Sequence, residues 1–163
     1  MRISMVVMAL AFSTGFAQAG TVEVRPDAPV AEFTIPDSWE TSHVNRGIQA
    51  ISKDGEVDFW IEAYTPAEFD KLVSEHDVYW KDHDVAFGAR DSETRQMNGA
   101  TVTMTNEHAT WKGKPTVIYY LDYHLGLPSK TNLVFTYWAS PGGDDSFRQE
   151  VAEALGTMKV TEK

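Results

Sequence analysis

The chain has 163 residues, 42% hydrophobic and 23% charged, with 24 Asp and Glu against 14 Lys and Arg. This composition excludes a disordered or fibrous chain, and the formal charge of -10 excludes a basic nucleic-acid binder or a polybasic membrane-surface protein. The absence of cysteine excludes disulfides, thiolate metal sites, Cys nucleophiles and a lipoprotein anchor.

Residues 1–19 read as a cleavable secretory signal peptide. Arg2 supplies the positive start, Ile3 to Phe12 is apolar apart from Ser4, and Ala17-Gln18-Ala19 is a small-x-small cleavage site. The apolar run is too short to cross a bilayer, which takes roughly 20 residues. Cleavage after Ala19 leaves residues 20–163 as a single domain. Export without cysteines points to a bacterial periplasm or secretion.

The first strand signal is Ala31 to Ile35, closed by Pro36-Asp37-Ser38, with Trp39 as a packing anchor. Gly47 to Ser52 and Glu56 to Tyr64 flank Lys53-Asp54-Gly55, a hairpin turn in which Gly supplies the positive φ. In the second arm Val57, Phe59, Ile61 and Ala63 alternate with Asp58, Trp60, Glu62 and Tyr64, the period of a strand.

Thr65-Pro66-Ala67-Glu68 predicts a helix start, with Thr65 as cap, Pro66 in the first turn and Glu68 completing a capping box. Phe69, Leu72, Val73, His76, Tyr79, Trp80 and His83 then recur at helical spacing. Asn98-Gly99 predicts a tight turn joining strands Ser92–Met97 and Ala100–Ala109. Trp111-Lys112-Gly113-Lys114 is the next turn, and strands Thr116–Leu125 and Lys130–Ala139 follow. Pro141-Gly142-Gly143 reads as a break, and a second capping box, Ser146 to Gln149, as the start of the last helix. Phe147, Val151, Ala154, Leu155 and Met158 form its apolar stripe. Strands in runs joined by hairpin-length turns argue for an α+β fold with an antiparallel sheet.

The segment Phe33-Thr34-Ile35-Pro36-x-x-Trp39, the central helix, the Asn98-Gly99-Ala100 turn into a strand meander and the closing amphipathic helix together resemble the Mog1/PsbP-like superfamily, including its DcrB-like and LpqN-like bacterial envelope proteins. The resemblance spans most of Ala31 to Val160. It implies an antiparallel sheet flanked by helices, an α–β–α sandwich, and a binding or accessory role rather than catalysis. No functional residue of the superfamily carries over position by position.

Chemistry has few footholds. No Gly-x-Ser-x-Gly elbow occurs. Asp144 and Asp145 oppose a phosphate at the Gly142-Gly143 loop. His76 and His83 share a helix face but stand about 10 Å apart along its axis, too far to hold one metal ion as a pair. His76 reads as a core-edge histidine, and Met97, Met104 and Met158 form no cluster in the sequence. The richest set is the second face of the sheet, where Trp60, Tyr64, Tyr120 and Trp138 alternate with the core residues and share their side with Asp58, Glu62, Asp122 and His124. Aromatics mixed with carboxylates suit a cation, a sugar or a peptide. The competing reading is that a helix covers this face. The expectation is a non-catalytic protein without metal, cofactor, nucleic acid or membrane span, whose partner is an envelope protein or a small ligand. The rivals are a ligand- or cation-binding protein using the aromatic face and a small periplasmic hydrolase.

Overall fold

The computed structural model of the chain describes residues 20–25, 28–97 and 99–162. The signal peptide at 1–19 and Asn98 of the expected turn lie outside them. Gly99 has φ 80°, as a tight turn requires.

Among the described residues ten strands and two helices follow in the order β1 (Gly20–Val24), β2 (Ala31–Ile35), β3 (Glu40–Val44), β4 (Gly47–Ile51), β5 (Val57–Tyr64), α1 (Phe69–Asp82), β6 (Val85–Met97), β7 (Ala100–Trp111), β8 (Lys114–His124), β9 (Asn132–Ala139), α2 (Pro141–Gly156) and β10 (Lys159–Val160). The fold is α+β, as the sequence predicts. Seven strands form one antiparallel sheet in the order β3-β4-β5-β9-β8-β7-β6, and β1-β2-β10 form a smaller one.

This order explains where α1 lies. The chain leaves β5 in mid-sheet and must reach β6 at the far edge before meandering back through β7 and β8 to β9. Four strand spacings of about 4.8 Å make about 19 Å. Fourteen helical residues at 1.5 Å make about 21 Å, so α1 has the length to bridge the sheet face. Leu72 and Trp80 are its buried contacts. The opposite face carries α2 and the small sheet. There Val24, Phe33 and Ile35 join Phe59, Phe135 and Tyr137 and the α2 residues Val151, Ala154 and Leu155 in one core. Trp39 is the anchor expected. Its ring meets Phe59 at 5.3 Å and Phe147 at 5.6 Å, and its Nε1 donates to Glu150 at 2.9 Å.

Several boundaries differ from expectation, each for a physical reason. Thr65–Glu68 is a turn, and α1 begins at Phe69. Half of the predicted capping box forms, because Glu68 accepts from both the Thr65 amide and its hydroxyl at 2.8 Å. Pro141-Gly142-Gly143 is the first turn of α2 rather than a break, and Ser140, not Ser146, is its cap, accepting from the Gly143 amide at 2.9 Å. The first helical amides have no intrahelical acceptor, so Pro costs nothing there. Gly143 fits because a Cβ would meet the Glu56 carbonyl oxygen at 2.7 Å. β6 begins seven residues before the expected strand, at Val85 rather than Ser92. Met158 lies just beyond the helix.

Ser140→Ala removes this cap while leaving the Ser140 amide bond to Glu56 intact. The expected loss is about 1 kcal/mol of unfolding free energy in urea titration. A loss below about 0.3 kcal/mol would mean that the cap contributes little.

Candidate functional site

The strand register places Asp58, Trp60, Glu62, Tyr64, Tyr120, Asp122, His124 and Trp138 on one sheet face, as period two predicts. α1 covers the centre of that face, so the aromatic residues form a helix–sheet interface instead of an open platform. Trp60 packs edge-on against Tyr79 and Trp80 at 5.2 and 5.9 Å. Trp138 meets Trp80 at 5.5 Å and Trp111 at 5.6 Å, and its Nε1 donates to Thr116 Oγ1 at 3.0 Å. Tyr120 OH accepts from Trp80 Nε1 at 2.7 Å. Tyr64 is buried and donates to Asp122 at 2.5 Å; burial and that carboxylate both raise its pKa.

The acids are engaged as well. Glu62 is bound by His76 Nε2 at 2.6 Å and faces Arg46 Nε at 3.8 Å, while Arg46 also donates to Glu75 on α1. The partner of His76 therefore comes from β5, across the interface. Asp122 lies 3.3 Å from the half-exposed His124. Asp58 stands apart at the Trp138 end, where both its oxygens accept from Gln49 Nε2 at 3.1 and 2.8 Å. Burial pushes its carboxyl up to about 7, against the opposing pull of the Gln49 bond.

That shift makes a pH prediction. The folded state holds the Asp58 proton more tightly than the unfolded state, whose value is 3.8. The ionised folded form is therefore penalised: stability is lost as pH rises from about 4 through about 7. Asp58→Asn should leave stability at pH 4 nearly unchanged and raise it at pH 8 by about 1–3 kcal/mol, less than the full shift implies because the side chain is partly solvated. Urea titrations at the two pH values read this, and an equal effect at both would contradict it.

Two clefts remain open beside α1. The first, about 190 Å3, lies between the β3–β4 turn and the helix and is floored by Trp60 and Glu62. The second, about 230 Å3, lies between α1 and β6–β7–β8. Phe69 and Val73 on α1 and Phe87 on β6 rim it, each 39–41% exposed. Its floor holds Glu107, whose side chain is 2% exposed. Arg90 Nη2 donates to Glu107 Oε1 at 2.9 Å, and Oε2 has no hydrogen-bond partner among the described residues.

A β-bulge builds this second cleft. Phe87 pairs with Ala109 and Arg90 with Glu107, so three steps on β6 match two on β7. In a regular strand residues three apart point to opposite faces; the bulge absorbs one step, so Phe87 and Arg90 both line the α1 side. Gly88 sits in the bulge, where a Cβ would come within 3.0 Å of the His108 carbonyl oxygen. The sequence reading missed Arg46, Arg90 and Glu107. The one local signal was Gly88 inside an otherwise strand-like run, which marks a bulge or close approach.

Among the described residues no group of three or more His, Asp or Glu side chains is placed to hold a metal ion, and no helix is long and apolar enough to cross a membrane.

No family model and no curated protein matches the chain. Solved structures do. The chain is similar to the solution structure of cyanobacterial PsbP (CyanoP) from Synechocystis, with a TM-score of 0.61 and 9% identity over 94% of this chain and 98% of that one. It is similar to the crystal structure of the Saccharomyces cerevisiae Ran-binding protein Mog1p, with a TM-score of 0.50 and 10% identity over 89% and 97%. These likenesses show the fold: the chain has the Mog1/PsbP-like fold.

Proposed function

We propose that this chain is an exported bacterial envelope protein that works by binding another protein, without catalysis, through the cleft between α1 and β6–β7. The observation that carries the reading is the Glu107 carboxylate, buried with one oxygen unpartnered beneath a rim of exposed Phe69, Val73 and Phe87. A buried acceptor without a donor is costly, and a partner that brings a donor relieves it. A protein segment offering an apolar side chain beside a Lys, Arg or amide donor has the matching chemistry. The likeness to Mog1p, a Ran-binding protein, supports a protein partner. The envelope setting rests on residues 1–19 and on the resemblance to DcrB-like and LpqN-like proteins.

The acids of the covered face suit structure better than catalysis. Glu62 is tied to His76, Asp122 to Tyr64 and Asp58 to Gln49. Paired-carboxylate hydrolysis needs two free acids across a substrate.

Two measurements test the reading. N-terminal sequencing of the protein from its producing cell should give Gly20 first; an intact Met1 would defeat the export claim. Affinity enrichment from envelope extract should recover a partner with wild type and with Val78→Asp, whose site is 57% exposed, outside the cleft. Val73→Asp should reduce recovery at least tenfold. Equal recovery with both variants would move the docking surface elsewhere.

A further inference from the structure

The face opposite α1 holds a larger space that the reading above does not use. A groove of about 580 Å3 runs between α2 and the β7–β8 half of the main sheet. It falls in the roughly 300–1,000 Å3 range of small-molecule sites, whereas the clefts beside α1 fall below it. Its helix wall is one stripe, Asp144, Arg148, Ala152 and Gly156, at i, i+4 spacing. Its sheet wall is mostly apolar: Met104 and Leu121 are register partners, Met97 closes one end, and the exposed Asn106, paired with Tyr119, is its one amide side chain. Two methionines without a sequence cluster thus line one space, and their flexible thioethers adapt to irregular shapes. Tyr119, stacked on Tyr137 at 4.4 Å, adds a flat aromatic surface.

Charge is balanced along this lining. The Asp144 carboxylate accepts from Tyr137 OH at 3.1 Å and pairs with Arg148, and among the described residues no other ionised side chain faces the space. One buried polar group is unanswered among the described residues. Tyr123 is 1% exposed, lines the groove, and its hydroxyl has no hydrogen-bond partner among the described residues. Buried hydroxyls are normally paired. Burial pushes this phenol up to about 12, so it stays protonated at neutral pH.

We propose that this groove binds an uncharged, largely apolar small molecule whose single hydrogen-bond acceptor takes the Tyr123 hydroxyl proton. Among the described residues an anion finds no free cation there, and a cation finds the one carboxylate already paired with Arg148. A carbonyl or ether oxygen on an apolar body answers the hydroxyl and fills the rest.

Nile red, uncharged and bearing one ring carbonyl, is the probe. Titrated into the full protein, it should give saturable one-to-one binding with blue-shifted emission. Tyr123→Phe should weaken it three- to tenfold, the size of one hydrogen bond. The same variant should melt no lower than wild type, because it deletes an unpaired buried hydroxyl; a structural tyrosine would do the opposite. Ala152→Trp, at an exposed helix position on the rim, should weaken binding at least tenfold. Absence of saturable binding, or affinity unchanged in both variants, would overturn the proposal. The α1 variants used to test protein docking should leave Nile red affinity unchanged, so the two claims fail separately.

Discussion

Trp80→Ala should lower the unfolding free energy by about 3–5 kcal/mol, the largest single loss expected on the α1 side of the protein. Trp80 is 3% exposed, and its ring meets Trp60, Phe87 and Trp138 at 5.5–6.0 Å, each close to perpendicular. Such edge-to-face contacts add to area burial. Its indole N–H also holds Tyr120 OH, so truncation leaves a half-buried hydroxyl without its donor. Trp80→Phe keeps most of the ring and should recover more than half of the loss. Urea titration followed by far-ultraviolet circular dichroism avoids the change in tryptophan fluorescence. A loss below about 1.5 kcal/mol in the alanine variant would mean that α1 does not depend on this cluster. Phe87 and the second cleft lean on the same ring, so the variant should also lose partner binding.

The aromatic cluster shows what the sequence makes legible. Alternation in Val57–Tyr64 identifies both faces of β5, and spacing alone puts Trp60, Tyr120 and Trp138 together on one of them. Whether a helix covers that face depends on the route of the chain from β5 to β6, which is set by strand order and not by any local pattern. The Glu62–His76 pair is invisible for the same reason: its members lie on different elements, and neither is at a helical offset from the other. β3 escapes the sequence reading because four of its five residues are exposed at a sheet edge, so its hydrophobic pattern has no core to report. β1 pairs with β2 and has one fully buried residue, Val24, too few to show a period. Glu107 reads as an ordinary exposed acid in a threonine-rich strand. Only the bulge opposite it and the crossing helix bury it.

Gly47→Ala should cost about 3 kcal/mol or more, although the substitution adds one methyl group. Gly47 opens β4 against Glu62 of β5, and a Cβ there would lie 1.8 Å from the Ile61 carbonyl oxygen. No side-chain rotation relieves a clash with backbone, so β4 must move away from β5. That movement breaks the Ala63 amide bond to the Arg46 carbonyl and displaces Arg46 from Glu62 and Glu75. A buried carboxylate that loses its cation is itself strongly destabilising. Hydrogen exchange should show β3 and β4 losing protection while β7 and β8 keep theirs. Stability within about 0.5 kcal/mol of wild type would show that β4 slides without cost.

The central claim is that the α1–β6–β7 cleft docks a protein. A photo-reactive benzoylphenylalanine placed at Val73, in the rim, or at Val78, away from it, tests this in the producing cell. The account predicts a discrete crosslinked protein at position 73 that is absent at 78 and is lost when Glu107 is changed to Ala. The same products at both positions, or a position-73 product that survives Glu107→Ala, would contradict it.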